Sequence, residues 1–384
     1  MTTDESSAVG DCHKGRNRAK GPVRYQDRLP GDRHTNVASS PQSTSVEETS
    51  GHQDAPSASR VDSTRSVESK VRVALVGAGA FGVKHLEALS RIEEVEVVAV
   101  ASRTIEQARE VAMSFGIEVA TANYAEVINT PGIEAIILCS PTPLHAEQTV
   151  AALRNGKHVQ VEIPLAEDWT GANNVAQVAR ETGLICMVGH TRRFNPPHQW
   201  IHRRVLAKEL SLQHLQVQTF FHRRTNTNAL GHARSWVDNL LWHHAAHTID
   251  LFAYQCGEAI VEAHAIAGPP HEVLHIPMDM SIHLKSESGR ICSLALSFNN
   301  EGPIGTGFRY ICDKGTYVAR YDQLFDGDDQ EILISDAPSP PDGVELQDRE
   351  FISAIREGRS PNSSVDSVID CYRTLGQLQR QLHH

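Results

Sequence analysis

The 384-residue chain is poor in aromatic residues, at 5%. It has no apolar run close to the roughly 20 residues that a membrane-spanning helix needs, so no membrane partner is expected. Its seven cysteines (Cys12, Cys139, Cys186, Cys256, Cys292, Cys312, Cys371) are odd in number and scattered, and none stands in a Cys-x-x-Cys pair. That excludes a disulfide framework and a zinc ribbon and fits a reducing cytoplasm. The poverty is greatest at the start. Residues 1–70 contain no Ile, Phe or Trp, one leucine (Leu29) and twelve serines, and their ten acidic and ten basic residues cancel. Such a segment cannot bury enough apolar surface to offset its ordering entropy, so it is expected to be a disordered extension. It lacks the apolar stretch of a secretory signal, and its acids argue against an organelle transit peptide. Val71 opens the first strongly apolar run, and one expectation is that translation starts there. Residues 71–384 carry the whole net charge, 37 acidic against 26 basic side chains, or −11. That balance argues against a nucleic acid partner, while a local cluster of bases can still hold a small anionic substrate.

What is present begins at Val71. Short apolar runs, VRVALV, VEVVAVA, AIILCS, HVQVEIP and LICMVGH, alternate with helical patterns such as AFGVKHLEALSRI and TGANNVAQVARETG. This order predicts a parallel sheet covered by helices on both faces. Thr104 with Gln107 reads as a capping box. Directly after the first strand stands GAGAFG, with Gly77, Gly79 and Gly82, and with Ala80 and Phe81 opening the helix. The first glycine permits the tight turn, the second the approach of a pyrophosphate, and the third close packing of helix on strand. Phosphate then sits at a helix N-terminus. At the end of the second strand, an acid would hold a ribose 2′-hydroxyl; here stand Ser102 and Arg103. A hydroxyl followed by a guanidinium suits the 2′-phosphate of NADP, with NAD the poorer alternative.

The stretch LLWHHAAHTIDLF, Leu240–Phe252, has three histidines within five positions. In a helix His243 and His247 share a face, while His244 is offset and reads as structural. Two histidines at this spacing resemble part of a zinc site, but the zinc motif needs glutamate where His244 stands, and no third ligand is evident. Acid–base work and substrate binding are the expected roles, with no metal. His247 is the first candidate base, and His243 a base or hydrogen-bonding partner.

These motifs, with CSPTPLHAEQ (139–148), GKHVQVEIPLA (156–166) and ELQDREFISAIREGRSPNSS (345–364), resemble the Gfo/Idh/MocA oxidoreductases. The resemblance implies a Rossmann NADP-binding domain over 71–192. It implies an α/β domain with an open, mostly antiparallel sheet over 193–384, which binds substrate and pairs with a second copy as a homodimer. It also implies that Pro141, Thr142 and Glu162 lie near the nicotinamide ribose. Two positions depart from the family pattern. Its usual Glu-Lys-Pro is here Glu162-Ile163-Pro164, and its Asp-x-Gly-x-His-x-x-Asp begins at His243 and keeps His247 and Asp250. The lysine and first aspartate of typical members help a histidine move a proton, and Ile163 cannot. The substrate is therefore expected to differ from the usual sugar alcohol.

Segments HVQVEIPLA, CMVGHTRRFNP, RSWVDNLLWHHAAHT and SFNNEGPIGT resemble one branch that acts on ring-cleavage products of aromatic acids. That implies NADP-dependent oxidation of a carboxylated semialdehyde, as its cyclic hemiacetal, to the lactone 2-pyrone-4,6-dicarboxylate in protocatechuate catabolism and lignin degradation. A polycarboxylate needs fixed cations: Arg192 and Arg234 first, then Arg223 and Arg224, of which strand alternation lets only one face a pocket. Trp236 and Trp242 either flank a planar ring or pack in the core. A sugar or diol dehydrogenase of the same family and a non-catalytic NADP(H) sensor remain as alternatives.

Overall fold

The computed structural model describes residues 69–227, 233, 234, 236–334 and 341–383. The proposed extension therefore lies outside the described residues, except for Ser69 and Lys70.

The first sheet comprises β1 (Val71–Val76), β2 (Val95–Ala101), β3 (Val119–Thr121), β4 (Ala135–Leu138), β5 (His158–Val161) and β6 (Cys186–Val188). The helices between them are α1 (Ala80–Leu89), α2 (Ile105–Phe115), α3 (Tyr124–Asn129), α4 (His145–Arg154) and α5 (Trp169–Thr182). The strands run parallel in the order β3-β2-β1-β4-β5-β6. Strands covered on both faces read as unbroken apolar runs, which is why β1, β2 and β4 stood out in the sequence. The short β3 and α3 did not, because three strand residues and under two helical turns leave no readable period.

The chain continues through α6 (Pro196–Leu206), β7 (Leu212–Phe220), α7 (Ala246–Cys256) and strands β8 (Ile260–Ala267), β9 (Asp279–Ser286), β10 (Ile291–Ser297), β11 (Gly305–Cys312), β12 (Gly315–Arg320), β13 (Gln323–Phe325) and β14 (Glu331–Ile332). It ends with α8 (Gly343–Glu357) and α9 (Val365–Leu382). The second sheet has eight strands in the order β14-β13-β12-β11-β7-β10-β9-β8, antiparallel except for β7 beside β10. One face carries Leu215, Val217, Ile282, Leu294, Leu296 and Phe308 into the core with Ile249 and Phe252 of α7. Each such side chain contributes roughly 1.5–3 kcal/mol when fully buried. The stripe on α9, Val365, Val368, Ile369, Tyr372, Leu375 and Leu378, is buried in the same core.

The opposite face of this sheet is open and mostly polar, with Gln216, Gln218, Ser281, His283 and Arg309 on it. Only scattered apolar residues such as Ile266 and Ile291 are exposed there. After the second sheet the chain returns to the first: Phe351, Ile352 and Ile355 of α8 bury against Val71, Leu75 and Leu86. Among the described residues no helix is long and apolar enough to cross a membrane.

Candidate active site

The turn after β1 has the geometry that its glycines permit. Gly77 has φ +104°, and a Cβ there would lie 2.3 Å from the Cys139 carbonyl oxygen. A Cβ on Gly82 would come within 2.0 Å of the Gly77 oxygen, so the helix can press on the turn only without a side chain. At Gly79, the N-cap of α1, a Cβ would meet nothing within 4 Å, and its side chain has no capping oxygen to offer. The first N–H groups of α1 thus open onto free space, with Ala80 and Phe81 exposed beside them. This cradle fits a dinucleotide pyrophosphate.

Ser102 directly follows β2, and its Oγ donates to Gln107 Oε1 (2.7 Å). Gln107 Nε2 donates in turn to the Ala78 oxygen (3.0 Å), tying the glycine turn to Ser102. The expected capping box is therefore half formed. Thr104 accepts from the Gln107 N–H, but the Gln107 side chain is used elsewhere. Arg103 is exposed. Pro141 and Thr142 form the turn after β4, with Thr142 buried.

Glu162 follows β5 and opens the turn that contains the cis Ile163–Pro164 bond. Its Oε1 accepts from Gln347 Nε2 (3.0 Å) and lies 3.2 Å from His85 Nε2. On the other side of that ring, His85 Nδ1 lies 2.8 and 2.9 Å from the two oxygens of Asp348, which also accepts from Gln160 Nε2 (2.7 Å). Only an imidazolium can donate to both carboxylates. Burial pulls the His85 pKa down, but Asp348 and Cys139 lift it well above the ordinary value. This network joins α1, the turn after β5, and α8. Ile163, in the position of the family lysine, is buried in the hydrophobic core.

The helical reading of Leu240–Phe252 needs one correction. Leu240–Ala245 is a π-helical turn that leads into α7, with Asn239 accepting from the Trp242 N–H at its start (2.7 Å). The wider turn changes the angular spacing of its side chains, so that His244, expected to be offset and structural, faces the same cavity as His243 and His247. That cavity holds 160 Å³ and is lined also by Arg192, Thr219, Phe221, Thr248, Thr306 and Phe308. His243 Nδ1, His244 Nε2 and His247 Nδ1 are buried without hydrogen-bond partners. Burial lowers the pKa of all three, and Arg192 lowers His247 further. Each is therefore a neutral imidazole at neutral pH, able to accept a proton. The described residues hold no group of three or more His, Cys, Asp or Glu side chains placed for a metal ion.

The candidate arginines separate. The Arg192 guanidinium lies 5.5 Å from the Phe308 ring and donates to Asn195 Oδ1 (3.4 Å), with no acid in ion-pair distance among the described residues. Arg223, Arg234 and Trp236 converge instead on Asp238. Arg223 Nη2 and Trp236 Nε1 each donate to it at 3.1 Å, and Arg234 Nη1 donates to the same Oδ2 as Arg223. One Arg223 nitrogen, Nη1, stays buried and unpartnered. Arg224 points outward to the Phe298 oxygen and Asn299. Asp250 forms a two-armed pair with Arg193 (2.8 and 2.7 Å) rather than orienting His247, and Trp242 is buried in the core. Sequence reasoning missed His85, Asp348 and Asp238. It also missed His190, whose ring centroid lies 6.4 Å from that of His247. Asp238 alone left a signal, one acid within a run of cations and aromatics.

Residues 71–190 match the oxidoreductase family, NAD-binding Rossmann fold (Gfo/Idh/MocA), and residues 196–338 match the bacterial oxidoreductases, C-terminal. The chain belongs to the Gfo/Idh/MocA oxidoreductases. Within that family it is 58% identical over 312 residues, 81% of this chain and 99% of the relative, to 4-carboxy-2-hydroxymuconate-6-semialdehyde dehydrogenase of Sphingobium sp. (strain NBRC 103272 / SYK-6). The scyllo-inositol 2-dehydrogenase (NAD(+)) of Bacillus subtilis (strain 168) is 34% identical over 145 residues, 38% of this chain and 42% of the relative. Among solved structures, GenD2 from gentamicin A biosynthesis, in complex with NAD, superposes with a TM-score of 0.69 at 19% identity, covering 85% of this chain and 97% of that one. A putative myo-inositol dehydrogenase from Sinorhizobium meliloti 1021 does so with a TM-score of 0.67 at 20% identity, covering 82% and 98%. This Gfo/Idh/MocA member is thus an oxidoreductase with a nicotinamide dinucleotide fold. Its cavity carries three histidines where the family pattern carries one.

Proposed function

We propose that the protein oxidises 4-carboxy-2-hydroxymuconate-6-semialdehyde, as its cyclic hemiacetal, to 2-pyrone-4,6-dicarboxylate in protocatechuate meta-cleavage catabolism. The observation that carries this reading is the 58% identity that extends over 99% of a dehydrogenase of that name. The cavity is chemically suited to it. A hemiacetal carbon carries both an O–H and a C–H, so its oxidation needs a base for the proton and a hydride acceptor. Neutral His243 and His247 are candidate bases, and a bound nicotinamide supplies the acceptor. The anomeric hydroxyl is more acidic than an ordinary alcohol, which makes a lysine in the place of Ile163 dispensable. Arg192, with no acid in ion-pair distance among the described residues, offers a guanidinium to a substrate carboxylate. Exposed Arg103, with no carboxylate at the end of β2, supports NADP over NAD. A cytoplasmic location and a homodimer formed through the open sheet complete the reading; light scattering on the purified protein tests the second.

The test mixes the full chain with enzymatically generated semialdehyde and NADP, follows nicotinamide reduction and identifies the product by mass. Formation of 2-pyrone-4,6-dicarboxylate is expected. Demonstrated dinucleotide binding without reduction would overturn the substrate and leave the fold untouched.

A further inference from the structure

Of the three cavity histidines, His243 alone has an aspartate within ion-pair distance among the described residues. Asp238 Oδ1 lies 3.7 Å from His243 Nδ1, which has no other partner. The Asp238 carboxylate is buried, and Arg223, Arg234 and Trp236 hold it from the other directions. That grip fixes where it points. The charged and titratable groups that face His243 are Asp238, Arg223, Arg234, His145 and His244. His247 is differently placed: it faces Arg192, His190 and the other two histidines.

A neutral imidazole has one N–H, and its other nitrogen is the base. What the first nitrogen faces decides the arrangement. A carboxylate only accepts, so the ring nitrogen beside it must carry the proton. We infer that Asp238 is a positioning residue that holds His243 in the Nδ1–H form, so that His243, rather than His247, is the base for the substrate hydroxyl. The proton passes from the hydroxyl to His243 Nε2, while the C–H bond of the same carbon breaks and its electron pair leaves with the hydrogen as hydride to nicotinamide. The imidazolium formed at His243 faces the Asp238 carboxylate as well as Arg223 and Arg234; at His247 it would face the Arg192 cation with no carboxylate in ion-pair distance among the described residues. His247 then serves as a neutral hydrogen-bonding partner. The inference rests on the dehydrogenase reading for its chemistry, but the tautomer it requires exists without substrate.

Asp238→Asn makes the test sharp. Both arginines donate to Oδ2, so the amide oxygen belongs on that side. The NH2 group then replaces Oδ1, at the cost of the hydrogen bond from Trp236 Nε1, and faces His243 Nδ1 as a donor, reversing the tautomer. With the full chain carrying 15N-labelled histidine, the His243 signals are assigned by difference from His243→Gln. Nδ1–H is expected in the wild type and in Asp238→Glu, and Nε2–H in Asp238→Asn. Nε2–H in the wild type would overturn the inference whatever the substrate. Kinetics form a second arm. Where the wild type turns over the semialdehyde, Asp238→Asn should lower kcat about 100-fold. Dinucleotide affinity should stay unchanged, and the acid limb of kcat/KM should move to lower pH. A change confined to KM, or a greater kcat loss in His247→Gln than in His243→Gln, would also overturn it. Absence of wild-type turnover would count against the substrate alone, and the tautomer would still decide this inference. It would decide it too if Asp238→Asn failed to fold.

Discussion

Two buried polar clusters of this protein are built on opposite rules. In the network of His85, Asp348, Glu162, Gln347 and Gln160, each ring nitrogen and carboxylate group meets a partner. Only Gln160 Oε1 is left over. In the cavity beneath the second sheet, His243, His244 and His247 each bury a ring nitrogen with no hydrogen-bond partner among the described residues, and Arg223, held on Asp238, buries an unused N–H group. Burying a polar group without a partner costs free energy, so a fold that keeps several together is poised for something that is not protein. The first cluster is complete and holds elements in place. The second is incomplete among the described residues.

The comparison can be broken at either end. The largest effect is expected from His243→Gln, which should lower turnover about 10²–10⁴-fold, with thermal stability and dinucleotide binding close to wild type. A melting curve and a fluorescence titration check this; near-normal rates would remove the residue from the catalytic list. Asp348→Ala should behave the other way. It leaves a buried imidazolium facing one carboxylate fewer and should cost about 3–5 kcal/mol of stability, read from chemical denaturation. A stable Asp348→Ala protein would mean that the network is not what holds α8 to α1.

A smaller effect is expected from Arg192→Ala. Loss of one charge-assisted contact raises KM for the carboxylated substrate roughly tenfold to a hundredfold, or about 1.5–3 kcal/mol. An unchanged KM would send the search for the carboxylate site to Arg223 Nη1. The smallest effect is a difference in pH response. The folded-state pKa of His85 is raised, so the stability it contributes is complete below about pH 6.5 and is lost as pH rises toward its elevated value. The cavity histidines are lowered, so their contribution is complete above that pH and is lost as pH falls below it. Thermal midpoints measured across pH should fall on both sides, and His85→Gln should flatten only the alkaline side.

Legibility in the sequence followed the range of the interaction. Gly77, Gly79 and Gly82 act through their own backbone within one turn, so their roles could be read from six residues. The histidines of the cavity were legible as a group because they are adjacent in the chain. How they are presented was not, because a π-turn and an α-turn share the same apolar pattern. His85 and Asp348 are 263 positions apart, and nothing local marks either as a partner. The arginines were misleading for a related reason. A cation in a quoted motif looks available, and only the fold reveals that Arg223 and Arg234 are drawn to Asp238.

Gln107 has a consequence for how this enzyme can change. Its Oε1 accepts a hydrogen bond from Ser102 and its Nε2 donates one to the Ala78 oxygen, so the end of β2 and the glycine turn share one amide. An aspartate at position 102, which could hold a ribose 2′-hydroxyl, would bring an acceptor against the Gln107 acceptor. Turning the amide over only moves the conflict to Ala78. An acid at 102 therefore needs a second substitution at 107 that donates in both directions, and variants carrying only the first change should bind either coenzyme poorly.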